Sequence, residues 1–244
     1  MKAATQTKDI FMSITDKGGT GKTLFSRLLA NKLIRDGKDP LLVDGDGEIG
    51  GLHQFHSDSL TVRFTGEAHD RDELTTILDS GKDTILIDMP AASLTSLAIF
   101  NDETRFFREL KSLGYTLTLV NVITPFKTSI RTVRQMLELG GDNAKYVVVV
   151  NEFFGRKDDF YLWHGDEEQP VSKGKTALVA AGGEEIVLHS LQTGVLVALD
   201  YDNIKFPDAM DERGENKLKR RVHRARLAVW LDKMDDELNK ILGA

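Results

Sequence analysis

Residues 13–23 read Ser-Ile-Thr-Asp-Lys-Gly-Gly-Thr-Gly-Lys-Thr, a spacing of glycines and cations suited to holding a polyphosphate. Glycine turns leave backbone N–H groups uncovered. Where such a turn joins a strand to a helix, those groups converge on a concavity at the positive end of the helix dipole. The pattern G-x-x-x-x-G-K-[ST] describes that arrangement. Gly21, Lys22 and Thr23 satisfy its end, whereas Asp16 stands where its first glycine belongs. Lys22 then reaches the β- and γ-phosphates, Thr23 gives its hydroxyl to Mg²⁺, and Gly18, Gly19, Thr20 and Gly21 line the cradle. Lys17 is a second cation with no place in that pattern.

A triphosphate site also needs carboxylates for its metal, and these stand where apolar runs stop. The run 84–88, TILID, closes on Asp88, which is placed to hold Mg²⁺ through its water shell. The stretch 41–51, LLVDGDGEIGG, carries two carboxylates two residues apart. Asp44 suits the metal site and Asp46 suits orienting the attacking water, among glycines that let the loop move; Asp-Gly pairs are equally at home in plain turns. Asn151 follows four valines, where its amide can hydrogen-bond a purine edge or cap the strand end. The Asn-Lys-x-Asp signature of guanine readers is absent, since NEFF follows, which favours ATP over GTP.

The elements that must position these residues are short apolar, β-prone runs at 10–15, 40–44, 84–88, 116–122 and 146–151, with EEIVLHSL as a further strand. Runs apolar on successive residues suit strands covered on both faces. Segments 22–35, 70–79, 96–113 and 128–139 carry apolar residues at helical spacing. Strand alternating with helix predicts an α/β fold: a doubly wound, mostly parallel sheet with helices on both faces. Such sheets bind ligands at the carboxyl ends of their strands, which is where the polar residues above fall. Residues 1–244 read as one domain, with a surface insertion at 153–184 and a long C-terminal helix at 214–242.

With 41% hydrophobic and 29% charged residues, the chain has the composition of an ordinary globular protein. The absence of Cys excludes disulfides, thiolate nucleophiles, cysteine-bound zinc and iron–sulfur clusters. No apolar stretch has the length of a signal peptide core or a membrane span, so the expected location is cytoplasmic.

At this point the chain resembles a family. The segment Lys17 to Thr23 is similar to the deviant Walker A motif of the ParA/MinD ATPases, which carry a signature lysine five residues before the usual one. LLVDGD falls at the family's switch I, ILIDMP at its Walker B and switch II, and VVVVN at its adenine contact. The resemblance covers roughly residues 8–151. It implies an ATP- and Mg²⁺-dependent homodimer with ATP sandwiched between subunits, Lys17 of each reaching the other's phosphates, and slow hydrolysis stimulated by an adaptor protein. Two departures bear on the hydrolysis rate: where the family's switch I reads D-x-D-P-Q, Gly47 replaces the proline and Glu48 adds a charge, and Leu24 replaces a second threonine.

Family members convert nucleotide state into attachment to nucleoid DNA or membrane. Residues 216–226, NKLKRRVHRAR, form the one dense basic block on a chain of net charge −6. On a continuous helix Lys217, Arg220, Arg221 and Arg224 would share a face, with Lys219 and Arg226 adjacent, and could neutralise several phosphates of nonspecific DNA; a solvated helix face is the plainer alternative. The acidic, mixed ending DKMDDELNKILGA disfavours a membrane partner. The expectation is a ParA-like ATPase that partitions or positions plasmid, chromosomal or other cargo, with nucleoid association following from DNA binding. The alternatives are an accessory ATPase of conjugative DNA transfer, a MinD-like membrane-associated ATPase and a small-molecule P-loop enzyme.

Overall fold

The structure is a computed structural model and describes residues 8–46, 51–64, 67 and 73–243. Glu48, its neighbouring glycines and the start of the helix expected at 70–79 lie outside the described residues; 73–76 are helical and run into a 3₁₀ turn at Ile77–Ser80.

Seven strands form one sheet: β1 (Lys8–Ser13), β2 (Leu41–Asp44), β3 (Leu60–Thr61), β4 (Thr84–Asp88), β5 (Tyr115–Ile123), β6 (Ala144–Asn151) and β7 (Glu184–Leu188). Their order is β3-β2-β4-β1-β5-β6-β7 and every pairing between them is parallel. The chain winds outward from β1 to one edge through β2, returns through β4, and crosses to the other side with β5. The crevice of that reversal lies at the carboxyl end of β1, the usual ligand position in such sheets.

Strand residues alternate between two cores. Ile10, Met12, Ile85, Ile87, Val148 and Val150 face one, and Phe11, Leu86, Val147 and Val149 face the other. A strand apolar at every position has no solvent face, so helices must cover both sides. One layer holds α1 (Lys22–Arg35), α7 (Thr193–Tyr201), α8 (Phe206–Met210) and α9 (Arg221–Leu242); the other holds α2 (Leu94–Thr104), α3 (Phe106–Ser112), α4 (Lys127–Gly140), α5 (Tyr161–His164) and α6 (Lys173–Ala180).

Three expectations change. The helix expected over 96–113 is two, broken at Arg105, whose φ of 55° ends α2. The segment 153–184 is not a surface excursion: Phe160, Trp163 and Leu178 are buried in the core beside α4, and the Trp163 indole N–H donates to Glu185 at 2.7 Å. Each such side chain removed from water contributes roughly 1.5–3 kcal/mol, which outweighs the charged, Gly- and Pro-rich local composition. The C-terminal helix begins at Arg221 instead of near residue 214. Leu218 is buried in the core, and its N–H donates to Ala209 O, so packing draws the preceding chain off the helix axis.

Candidate nucleotide-binding site

The loop between β1 and α1 spans Ile14 to Gly21, as the glycine pattern requires. Gly21 has φ +96° and Gly19 has φ +74°, values in which a side chain is strained. At Gly21 a Cβ would also lie 2.4 Å from Asn151 Nδ2. Among the described residues, no acceptor takes the backbone N–H groups of Gly18 to Lys22. The buried hydroxyls of Thr15 and Thr20 likewise have no partner there. Uncovered donors gathered at a helix N-terminus are the chemistry that accepts phosphate oxygens.

Parallel pairing brings Ser13, at the end of β1, into register with Asp88, at the end of β4, which sets Asp88 beside the loop. Thr23 donates its hydroxyl to Asp88 Oδ2 at 2.7 Å, Ser26 donates to Oδ1 at 2.9 Å, and Lys22 Nζ lies 3.6 Å from Oδ1. Burial pushes the Asp88 carboxyl above the usual range; Lys22 and the two hydroxyls pull it back, and Asp44 adds to the rise. Ser26 belongs to none of the sequence motifs and only the fold reveals it as part of the site. It lies three residues after Thr23, hence on the same helix face, and that spacing was the available signal.

Asp44 is buried, and its carboxylate is occupied: Oδ1 accepts from Asp46 N at 3.0 Å, and Oδ2 from Leu52 N at 2.7 Å and His53 N at 2.8 Å. Its observed work is to tie the backbone at Asp46 to that at Leu52 and His53. Asp46 is exposed and bridges to Arg63 in an isolated antiparallel pairing. Gly51 packs on Thr23, so the chain just before Leu52 lies against the end of the phosphate loop.

Asn151 is buried, with Nδ2 donating to Thr20 O at 2.8 Å and Oδ1 accepting from Phe153 N at 3.0 Å. It ties the loop to β6 and caps the turn that follows. Asp16, the residue that breaks the phosphate-loop pattern, accepts from Leu94 N at 3.2 Å, at the first turn of α2. A carboxylate at a helix N-terminus meets unsatisfied N–H groups and a favourable dipole, which accounts for an anion so near a phosphate cradle. Lys17 Nζ lies 4.7 Å over the ring of Phe126, just before α4. It therefore leans to the β5 flank of β1, whereas Lys22 faces β4.

The residues fit a nucleotide triphosphate with Mg²⁺. The loop N–H groups and Lys22 would hold phosphates, and Thr23 and Asp88 would hold the metal, which polarises the phosphate and neutralises its charge. Among the described residues no group of three or more His, Asp or Glu is arranged as a metal site. Mg²⁺ in nucleotide sites keeps several waters and takes only one or two carboxylates, so Thr23 with Asp88 suffices.

The basic block is divided. Arg224 folds back to donate to Leu218 O at 2.5 Å, Lys217 donates to Glu212 O, and Arg226 donates to Gln192 Oε1 at 2.6 Å. Lys217, Lys219 and Arg220 precede α9, so no common helix face joins them to Arg221 and Arg224. Lys219, Arg220 and Arg221 are exposed.

No protein-family model matches the chain. It is 25% identical over 154 residues to Protein TraL of Escherichia coli, covering 60% of this chain and 64% of TraL, so the match spans under two thirds of that relative. It is 25% identical over 181 residues to Protein MobD of Acidithiobacillus ferrooxidans, covering 73% and 76%. The MinC:MinD cell division protein complex of Aquifex aeolicus shares its fold, with a TM-score of 0.51 at 17% identity over 94% of this chain and 96% of that one. Sheet order, loop and strand-end carboxylates together give a doubly wound, parallel α/β sheet with the fold of a P-loop NTPase. No described helix is long and apolar enough to cross a membrane.

Proposed function

We propose that this chain is a ParA-like ATPase: it binds ATP and Mg²⁺, dimerises around the nucleotide, and in that state holds DNA nonspecifically to partition or position a plasmid, a chromosomal region or other cargo. The observation that carries the reading is the division of labour between the lysines. Lys22 is committed to Asp88 inside its own site, while Lys17 stands on the opposite flank over Phe126. A cation aimed away from its own cradle is useful to a second subunit's phosphates, as an arginine finger is. Asp46, exposed and with its N–H held by Asp44, is the water-orienting residue, and hydrolysis by an adaptor-stimulated dimer resets the cycle. The exposed cations Lys219, Arg220 and Arg221 supply the DNA contact.

The test is binding of random-sequence duplex with ATP, with ADP and without nucleotide, in parallel with light scattering of the wild-type and Lys17→Ala chains. The expected result is a salt-sensitive shift with ATP alone and loss of the ATP-dependent dimer in Lys17→Ala. A Lys17→Ala chain that still dimerises with ATP removes the cross-subunit role, and DNA binding indifferent to nucleotide removes the switch.

A further inference from the structure

Away from the nucleotide site, α1 carries a second buried cation in an unusual setting. Arg27 is 7% exposed, yet among the described residues no carboxylate forms an ion pair with it. Its guanidinium carbon lies 3.2 Å from the ring centre of Phe55 and 5.1 Å from that of Phe206, so two aromatic rings pack against it. Among the described residues its one side-chain hydrogen bond is a long one, from Nη2 to Ile204 O at 3.4 Å. A guanidinium has five donors in its plane. Arg27 lines a cavity of about 170 Å³ together with Asn31, His56, Asp58 and Lys205.

Ile34, Phe206 and Pro207 supply an apolar wall to the cavity, and its polar groups are incompletely paired. Asn31, one helical turn beyond Arg27, is 5% exposed, and its amide has no hydrogen-bond partner among the described residues. Burial, then the Lys205 charge, lowers the His56 pKa to about 4, so the imidazole is neutral. Lys205 Nζ sits 3.6 Å from Asp58 Oδ1, which offsets the carboxylate at the mouth. Asp200 and Asp208 act on Arg27 and His56 from α7 and α8, but neither forms an ion pair with them. The volume equals several waters, at roughly 30 Å³ each, and is well below that of a drug-sized ligand site.

We propose that the cavity beside Arg27 is a binding site for a small oxyanion, a carboxylate or a phosphate, held by the Arg27 fork with Asn31 and His56 as flanking hydrogen-bond groups. A planar guanidinium packed against two rings is preorganised for bidentate capture. The apolar rings exclude water around the pair, and the cavity admits a head group of this size. The proposal does not rest on the nucleotide reading, because the cavity contains none of the phosphate-loop residues.

The experiment is calorimetric titration of the full chain bearing Lys22→Ala, which weakens the phosphate loop as a competing anion site. Inorganic phosphate and succinate are titrated separately at constant ionic strength. One saturable site, with Kd below about 1 mM for at least one anion, is expected. Arg27→Gln should weaken it at least ~10-fold. Asn31→Leu, which leaves Arg27 in place and occludes the cavity, should do the same, and serves if Arg27→Gln does not fold. Preference for phosphate or for succinate identifies which oxyanion source the site takes. Absence of saturable binding by both anions, or an affinity unchanged in a folded Arg27 or Asn31 variant, overturns the proposal.

Discussion

The phosphate loop and the basic segment before α9 are both short, charged stretches next to a helix N-terminus, and the fold treats them oppositely. From Asp16 to Ser26 the polar side chains keep the geometry that their spacing implies: Thr23 and Ser26 on one helix face, Lys22 beside Asp88, glycines at positive φ. From Lys217 to Arg226 the linear pattern dissolves, because Leu218 is pulled into the core and the helix starts three residues later. Local spacing survives folding where the backbone is specified by glycine and by strand-to-helix continuity. It fails where one apolar residue can redirect a segment with little conformational preference of its own.

The largest effect that should sharpen this contrast is at the loop. Lys22→Ala is expected to weaken ATP binding by ~100-fold or more, read by titration with a fluorescent ATP analogue, since a charge-assisted phosphate contact is lost. At the basic segment the expectation is split. Lys219, Arg220 and Arg221 changed together to Glu should lower ATP-dependent affinity for random duplex at least ~10-fold, because phosphate contacts become repulsions. Arg224→Ala should leave that affinity within ~2-fold and instead cost about 1 kcal/mol in urea denaturation, as its bond to Leu218 O is lost. Equal effects of Arg224 and the exposed cations on DNA would restore the single basic face that the sequence suggested.

Smaller effects probe how the loop is held. Gly21→Ala places a methyl group against Asn151 at a positive φ and is expected to cost about 1–3 kcal/mol, measured by thermal or urea unfolding. Asp16→Ala removes the acceptor of Leu94 N and should cost about 0.5–1 kcal/mol. The least conspicuous signal is a change of slope. Burial raises the folded-state pKa of Asp88, so the folded chain holds that proton more tightly than the unfolded chain. Its contribution is fully present below the unfolded value of 3.8 and declines as pH rises through the folded value. Asp88→Asn keeps an uncharged polar group there and should flatten the fall in apo stability above pH 3.8, with a higher Tm at neutral pH. A steeper fall would mean that the Lys22 ion pair outweighs desolvation.

Much of the frame was legible in advance. Helix 22–35 was readable to the residue, because Gly21 and the leucine spacing mark its start and face. The strands at 84–88 and 146–151 were readable from their continuous apolar runs, which only a sheet covered on both sides accommodates. Asp88 was legible because a carboxylate that ends such a run sits at the carboxyl edge of the sheet, where ligands bind. Ser26, by contrast, looked like any helical serine, and its bond to Asp88 joins residues 62 apart in sequence. The break at Arg105 had no glycine or proline to announce it.

The sequence by itself determined the alternation of strand and helix and the position of the phosphate loop, since these rest on backbone preference and periodicity, which act over a few residues. The parallel order β3-β2-β4-β1-β5-β6-β7 decided the rest. It set Asp88 against Lys22 and Thr23, turned Asp16 onto α2, divided the basic block, and packed Arg27 against Phe55 and Phe206. Those are meetings of side chains distant along the chain, fixed by burial and pairing geometry, and local composition carries no record of them.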